Sequence, residues 1–259
     1  MSGVLATASV VPLLAGPALS HEQVTQLVLG EGARIVERHD AMLLVRTVLD
    51  DYEGWLHRGY VRETDVGTLE AWLGNAGWSE GARLELTGGA LAAPHRSRLP
   101  LDGADRVRLP DGRAARIASG SVRTWGEVIR DALAMAPADW AWREFAGTPY
   151  LWGGVTTGGI DCSGLVQTTF LARGLPLPRY ARQQVAVGVD VSPDDIGGGD
   201  LLFFRGGATD RITHVAIAVD ADTIVHSTVE TGQVRRESWR PGSRAAPLRE
   251  RLVAVRRLT

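Results

Sequence analysis

The chain has 259 residues, of which 44% are hydrophobic and 22% charged, and its formal net charge is −2. This length and composition fit a soluble globular protein of two or three small domains. The balanced charge argues against a nucleic-acid partner, and no apolar stretch is long enough to predict a membrane-spanning helix.

The first 20 residues are mostly small and apolar, as in a secretory signal. However, Pro12 interrupts the apolar stretch, and the first Lys or Arg is Arg34, whereas a signal peptide begins with positive charge. We therefore expect this segment to belong to the fold and the protein to be cytoplasmic, with export as the alternative. A single cysteine also excludes an internal disulfide, so an oxidising compartment is not required.

The N-terminal half is predicted to be rich in short strands. Runs of β-type residues separated by turn residues continue to residue 64, and they lie at 26–29, 34–37, 42–46, 50–56 and 59–61. Short strands at this spacing predict a small barrel or sandwich over residues 1–64. Residues 99–103 and 107–117 repeat the strand–turn–strand pattern loosely, which predicts a second small β domain over residues 65–122.

The pattern changes to helix at Thr124, which forms a possible capping box with Glu127. A second helix is predicted to begin at Pro137, and a third is predicted to follow Asp161 and to end near Gly174. Further strand-like runs lie at residues 200–204, 214–219, 223–227 and 252–256. Helices followed by strands predict an α+β domain with an antiparallel sheet over residues 123–259.

Cys162 lies between Asp161 and Ser163 at the predicted start of the third helix. The backbone N–H groups and dipole of a helix N-terminus favour an anion, so we expect the pKa of this thiol to be lowered. Most free cysteines are buried and inert. Here the polar neighbours favour a nucleophile, and so do the glycines at 158, 159 and 164, which are expected to leave the backbone open to a substrate.

His214 and His226 lie in two strand-like runs separated by a turn at residues 220–222. In a hairpin their even separation places both on one face, either opposite each other or offset by one pair. A thiol with an imidazole base and a polar group that orients the base is the arrangement of a cysteine hydrolase. A zinc site completed by Asp161 or Asp200 is an alternative that the lack of closely spaced ligand pairs disfavours.

Several motifs between residues 124 and 259 occur in the order found in the NlpC-type cell-wall cysteine peptidases, which this region resembles. They are Tyr150-x-Trp152-Gly-Gly, Asp161-Cys162-Ser163-Gly164, Leu177-Pro178-Arg179, Gly199-Asp200-Leu201-Leu202-Phe203-Phe204, Thr213-His214-Val215 and His226-Ser227. The resemblance implies a papain-like α+β core with Cys162 as nucleophile, His214 as base and His226 as the third polar residue. It also implies that Tyr150 helps to line the oxyanion region and that the substrates are peptides of bacterial peptidoglycan. We expect no cofactor and no metal.

The first 122 residues are similar to the SH3-like domains of the γ-D-glutamyl-L-diamino acid endopeptidases of peptidoglycan recycling. The similar segments are Ser20-x-x-Gln23-Val24-Thr25-Gln26, Gly30-Glu31 and Tyr52-Glu-Gly-Trp55. The resemblance implies cleavage of the γ-D-Glu–L-diamino acid bond in stem peptides with a free N-terminal L-Ala. It places Tyr52 and Glu31 near the substrate amine, with Asp161 and Ser163 also contacting it. Trp152, beside two glycines, is expected to form a wall of the cleft.

Some alternatives remain open at this point. Tyr52 could equally fill the core of a small β barrel, as we expect of Trp55. Where the family often has a serine shortly after Pro-Arg, this chain has Ala181, which implies a weaker preference for a free N-terminus. Two other functions are possible alternatives. The first is wall binding by a protein whose peptidase domain is inactive, and the second is acyl transfer by a cysteine enzyme with a similar core. The presence of all three catalytic residue types favours the peptidase.

Overall fold

The computed structural model of the protein describes residues 2–207 and 211–258. Met1, Thr259 and residues 208–210, which the predicted domains include, lie outside the described residues. The chain divides into two compact units, Met1–Val128 and Ile129–Thr259. None of the helices in the described part of the chain is long and apolar enough to cross a membrane.

The N-terminal unit begins with a seven-stranded antiparallel sheet in the order β3-β2-β6-β5-β4-β1-β7. Its strands are β1 (Ser2–Ala6), β2 (Val10–Leu14), β3 (Gln23–Val28), β4 (Gly32–His39), β5 (Met42–Thr47), β6 (Glu53–His57) and β7 (Val61–Asp65). Buried side chains of this sheet form one core, which includes Val4, Leu13, Leu27, Leu43 and Leu56. The N-terminal segment thus forms two strands of the fold, as expected.

Helix α1 (Val66–Asn75) follows the first sheet. The Asp65 side chain caps it by accepting a hydrogen bond from the Thr68 N–H at 2.9 Å. The sequence analysis did not predict this helix, because Gly67 and Gly74 weaken its helical pattern and only Leu69 is buried. The helix is a departure from the all-β expectation for residues 65–122.

Two smaller sheets complete the N-terminal unit, in the orders β10-β9-β13-β12 and β11-β8-β14. Their strands are β8 (Ala76–Ser79), β9 (Ala82–Leu86), β10 (Gly89–Ala93), β11 (Arg98–Pro100), β12 (Arg106–Arg108), β13 (Ala114–Ser119) and β14 (Val122–Arg123). They share a second core, which includes Leu84, Leu99 and Val107. The predicted domain boundaries at residues 64 and 122 coincide closely with the ends of these sheets, but three separate domains stay a prediction.

Four helices provide the helical part of the predicted α+β region. They are α2 (Trp125–Leu133), α3 (Pro137–Phe145), α4 (Cys162–Leu171) and α5 (Ala181–Gln184). The capping box is confirmed, since the Glu127 carboxylate accepts from the Thr124 N–H at 3.0 Å and the Glu127 N–H donates to Thr124 Oγ1 at 3.4 Å. Pro137 occupies the first turn of α3, as predicted.

The sheet of the C-terminal unit has six antiparallel strands in the order β17-β22-β18-β19-β20-β21. Two short strands, β15 (Val155–Thr156) and β16 (Gly159–Ile160), precede β17 (Val189–Asp190), β18 (Leu201–Arg205), β19 (Ile212–Ala218), β20 (Thr223–Thr228), β21 (Gln233–Ser238) and β22 (Leu252–Arg257). The four predicted strands are confirmed as β18, β19, β20 and β22. Helix α4 packs against β19 and β20, and this packing brings the start of α4 to the sheet.

Candidate active site

Cys162 is the first residue of α4 and is 7% exposed. The preceding Asp161 caps the helix, because its Oδ1 accepts from the Gly164 N–H at 2.7 Å. The loop before α4 turns back through the β15–β16 hairpin, so the helix begins directly after a short strand. The predicted position of the thiol at a helix start is confirmed.

The pKa of the Cys162 thiol is raised to about 12, mainly by burial and also by the charge of Asp161. The Val215 and Ser163 N–H groups and the Arg179 charge act in the opposite direction but do not outweigh burial. The expectation of a lowered pKa is therefore wrong. A helix N-terminus stabilises a thiolate by a modest amount, whereas removing a charge from water costs more.

The two predicted histidines contact each other. Nε2 of His214 lies 2.9 Å from Nδ1 of His226. Ile217 pairs with Val225 in the β19–β20 hairpin, and continuing this register places Ala216 opposite His226. The two histidines are thus on one face and offset by one pair, one of the two arrangements that the sequence predicted.

A third member of this row, Glu237, was missed by the sequence analysis. Its Oε1 lies 2.6 Å from Nε2 of His226, and Arg235 is the residue of β21 directly opposite His226. Glu237, two residues further along, shares that face. We call His214, His226 and Glu237 the imidazole row. Because β21 buries only Val234, no alternation of apolar residues marks it as a strand, and no local signal identified Glu237.

Burial and neighbouring groups shift the pKa values of His214 and Glu237. Burial and, to a smaller extent, the neighbouring His226 together lower the pKa of His214 to about 3. Burial raises the pKa of Glu237, but the hydrogen bonds and charges of His226 and Arg244 outweigh it, and the net pKa is below the ordinary value. The resting site therefore combines a neutral thiol, a neutral His214 and an ionised Glu237.

Tyr150 lines the same cavity as Cys162, His214 and His226. Its backbone N–H donates to the Gly232 carbonyl at 2.8 Å, and its pKa is raised by burial and by the nearby Cys162 and Asp161. The phenol consequently stays protonated and available as a hydrogen-bond donor. This position is compatible with the predicted role beside the oxyanion.

The cavity has a volume of about 300 Å³ and is lined by apolar and charged side chains as well as by Cys162. Arg205, Glu230 and Arg244 lie on its wall. A space of this size beside a thiol and an imidazole can hold part of a peptide substrate.

Asp161 holds a buried network that we call the Asp161 cluster. Arg179, 1% exposed, donates to Asp161 Oδ1 at 3.0 Å and to Oδ2 at 2.7 Å. The Gly153 and Gly164 N–H groups donate to the same carboxylate at 2.8 Å and 2.7 Å. Ser163 joins the cluster, because its Oγ accepts from Arg179 at 2.9 Å and lies 3.2 Å from Asp161 Oδ1.

This network gives Asp161 and Ser163 a positioning role for the start of α4. Both oxygens of the carboxylate already accept hydrogen bonds from this chain. The contact of Asp161 and Ser163 with a substrate amine, which the family resemblance implies, stays a prediction. The sequence analysis left Arg179 outside the site, since no local pattern distinguishes a buried arginine from a surface one.

The glycines around Cys162 serve internal packing more than substrate access. A Cβ at Gly164 would lie 2.2 Å from the Gly154 carbonyl oxygen, and one at Gly159 would lie 2.6 Å from Cβ of Leu151. Only Gly158 of the three has room, with Thr156 Oγ1 as its nearest contact at 3.5 Å. The interpretation that Gly159 and Gly164 leave space for a substrate is therefore wrong, because the chain itself fills that space.

The remaining predicted site residues lie in different surroundings. Glu31, in the N-terminal unit, accepts from Arg96 at 2.7 Å and from the Val28 N–H at 2.9 Å, and both charged side chains are buried. Tyr52, also in that unit, is half-buried. Trp152, in the C-terminal unit, is 49% exposed. The substrate contacts predicted for these three residues stay predictions.

Within residues 2–207 and 211–258, the structure contains no group of three or more His, Cys, Asp or Glu side chains arranged to hold a metal ion. The imidazole row instead satisfies both nitrogens of His226 by hydrogen bonds. These contacts leave His226 without a free nitrogen for a metal.

Comparison with known proteins identifies relatives of both units. The family model described as "NlpC/P60 family" matches residues 147–255, and the model described as "Bacterial dipeptidyl-peptidase Sh3 domain" matches residues 13–65. A protein of Haemophilus influenzae named "Probable endopeptidase" is 41% identical over 110 residues, which are 42% of this chain and 68% of that relative. The chain belongs to the NlpC/P60 family. As an NlpC/P60 protein it is a hydrolase of the cysteine peptidase type.

Other NlpC/P60 relatives extend this comparison. "Probable endopeptidase NlpC" of Escherichia coli is 39% identical over 94 residues, which are 36% of this chain and 61% of that relative. "Gamma-D-glutamyl-L-lysine dipeptidyl-peptidase" of Bacillus cereus is 31% identical over 145 residues, which are 53% of this chain and 43% of that relative. The chain thus spans less than two thirds of either of these two relatives.

A crystal structure of an NlpC/P60 family protein from Bacillus cereus matches with a TM-score of 0.80 and 21% identity, over 98% of this chain and 99% of that one. At this identity the match concerns the fold alone. The α+β fold, with a papain-like domain preceded by SH3-like β structure, is confirmed.

Proposed function

We propose that this NlpC/P60 protein hydrolyses the γ-D-Glu–L-diamino acid bond of peptidoglycan stem peptides that begin with a free L-Ala. The observation that carries the proposal is the pairing, in one chain, of the Cys162–His214 site with a segment matching the bacterial dipeptidyl-peptidase SH3 domain. Relatives named γ-D-glutamyl-L-lysine dipeptidyl-peptidase, at 31% and 43% identity, support the same bond.

The first half of the proposed reaction acylates the enzyme. His214 removes the proton of the Cys162 thiol while the sulfur attacks the γ-carbonyl carbon of D-Glu, and the carbonyl π electrons move to oxygen. The low pKa of His214 and the raised pKa of Cys162 mean that this proton moves as the C–S bond forms, rather than beforehand. The attack therefore begins from an uncharged pair.

The tetrahedral intermediate needs hydrogen-bond donors at its oxyanion. Backbone N–H groups at the start of α4 and the Tyr150 phenol supply them, since the raised pKa of Tyr150 keeps its proton in place. When the intermediate collapses, the C–N bond breaks and the proton on His214 passes to the amine of the departing diamino acid.

The second half of the reaction releases the dipeptide. His214 takes a proton from water as the water oxygen attacks the thioester carbon, and the C–S bond then breaks. The proton returns from His214 to the sulfur, which restores the neutral pair. No cofactor enters these steps.

Mass spectrometry of defined peptides tests the proposal. The purified protein is incubated with L-Ala-γ-D-Glu-L-Lys, with its meso-diaminopimelate counterpart, and with an N-acetylated form of each. We expect free diamino acid and L-Ala-γ-D-Glu from the first two peptides and slower cleavage of the acetylated forms. Cys162→Ala should abolish product while its circular dichroism spectrum remains that of the wild type.

Two further measurements separate the alternatives. Intact cross-linked wall, offered to the same protein, should yield little product, and cleavage of the wall with the tripeptides left intact would overturn the proposal. An added amine acceptor tests for acyl transfer, because a transferase would give an amide in place of the free acid.

The proposal includes a cytoplasmic location. It rests on the resemblance of the first 122 residues to the peptidases of peptidoglycan recycling. Fractionation of the producing cells tests this location, and recovery of the protein outside the cytoplasmic membrane would contradict it.

A further inference from the structure

The imidazole row crosses three neighbouring strands, with His214 on β19, His226 on β20 and Glu237 on β21. Its contacts are 2.9 Å between the imidazoles and 2.6 Å between His226 and the carboxylate. We propose that Glu237 is a positioning residue that sets the tautomers of both histidines and thereby makes Nδ1 of His214 the base.

The ionised Glu237 fixes the position of each proton along the row. An ionised carboxylate accepts hydrogen bonds and donates none, so Nε2 of His226 must carry the proton shared with Glu237. When His226 carries this one proton, its Nδ1 is an acceptor, and Nε2 of His214 must donate to it. The remaining nitrogen of His214, Nδ1, is left with a lone pair to receive the thiol proton.

The ionised state that this argument needs is maintained by Arg244. Its Nε donates to Glu237 Oε2 at 2.9 Å, and its Nη2 also contacts Oε1. Arg244 is in turn paired with Glu230 at 3.0 Å, so the guanidinium is held between two carboxylates. The pKa of Glu237 is lowered by His226 and Arg244 against the effect of burial.

Burial protects the hydrogen bonds of the imidazole row from competition by water. His226 is 2% exposed, and the Glu237 side chain is 17% exposed, so little water competes for the hydrogen bonds between them. Gln in place of Glu237 has both an amide oxygen and an amide N–H, so it no longer fixes the proton on Nε2 of His226, and its N–H can donate to that nitrogen. Nδ1–H of His226 would then donate to His214, whose own proton would move to Nδ1. His214 could no longer accept the thiol proton.

Glu237→Gln tests the inference by nitrogen-15 NMR of the histidine side chains. In the wild type we expect both His214 and His226 as Nε2–H tautomers, and in Glu237→Gln a shift of both toward Nδ1–H. A misplaced proton on a catalytic histidine costs about 10⁴-fold in other triads. Because Glu237 is one residue further from the base, we expect kcat to fall by about 10²-fold and KM to stay within about twofold of the wild-type value.

A second readout is independent of the substrate that we propose. Alkylation of Cys162 by iodoacetamide depends on removal of the thiol proton, so Glu237→Gln should slow it by about tenfold or more. The inference rests on the proposed hydrolysis only for kcat and KM. If the tripeptides were not cleaved, the NMR spectra and the alkylation rate would still decide the role of Glu237.

Two variants complete the design. Glu237→Asp keeps the charge, and we expect it to retain the wild-type tautomers and to recover at least part of the alkylation rate. Asp222→Asn neutralises another carboxylate that is paired with an arginine, Arg249 at 2.7 Å, in the turn between β19 and β20. It should change neither tautomers nor rates. Wild-type tautomers in Glu237→Gln, whether or not the rates fall, would overturn the inference.

Discussion

The imidazole row and the Asp161 cluster both lie near Cys162, and they differ in whether protons can move along their hydrogen bonds. The imidazole row contains two rings, each of which in its neutral form has one donor and one acceptor nitrogen. The Asp161 cluster contains a buried carboxylate that accepts two hydrogen bonds from a buried guanidinium. The first arrangement can relay a proton, whereas the second holds the backbone at the start of α4. Substitutions in the row should therefore change rate, and substitutions in the cluster should change stability.

The largest expected effect is on rate, from His214→Asn in the imidazole row. Asparagine keeps a polar group of similar size but cannot serve as the base, so kcat should fall by about 10²–10⁴-fold. The free energy of unfolding should change by less than about 1 kcal/mol, as for replacements that keep hydrogen bonding. Tripeptide kinetics and urea denaturation measure the two quantities. A variant that loses stability but keeps kcat would remove the distinction between the clusters.

The next effect is on stability, from Arg179→Met in the Asp161 cluster. Removing one partner of a buried ion pair leaves the other charge without compensation and costs about 3–5 kcal/mol. Arg236→Met is the matched control, because Arg236 pairs with Asp139 at 2.7 Å where the side chains are 37% and 46% exposed, and such pairs contribute about 0–1 kcal/mol. Urea denaturation of both variants provides the measurement, and equal losses would contradict the prediction.

Gly164→Ala tests the same cluster through its backbone. The new Cβ would lie 2.2 Å from the Gly154 carbonyl oxygen, so α4 must move from the preceding loop, at a cost of about 1–3 kcal/mol. Gly158→Ala, with no contact closer than 3.5 Å, should leave stability nearly unchanged. Thermal unfolding of the pair measures the difference. A tolerated Gly164→Ala would mean that the loop and helix are not held as closely as described.

The smallest expected effect is the pH dependence that Cys162 contributes. Its pKa in the folded protein, about 12, lies above the ordinary value of 9.0. Its contribution to stability is therefore complete below pH 9 and is lost as pH rises toward 12, because the unfolded chain releases the proton first. Between pH 9 and pH 10 the wild type should lose about 1 kcal/mol more than Cys162→Ala. Equal losses in urea denaturation would show that the thiol titrates normally.

Local patterns in the sequence were enough to predict much of the catalytic unit. The capping box at Thr124, the helix start at Cys162 and the even spacing of His214 and His226 all depend on residues close together in the chain. Short-range geometry governs such features. Glu237 was missed for the opposite reason, since its strand has a single buried side chain and its partner lies on another strand.

The sequence by itself determined the placement of Cys162 at a helix start, the shared face of the two histidines and the main helices and strands of the C-terminal unit, because periodicity and helix capping are local properties. Only the tertiary structure decided the protonation of the site. The pKa of Cys162 depends on burial and on the charge of Asp161, and Arg179 reaches that carboxylate from 18 positions along the chain. Electrostatic free energies depend on distance in space and on exclusion of water. The spacing of residues along the chain specifies neither quantity.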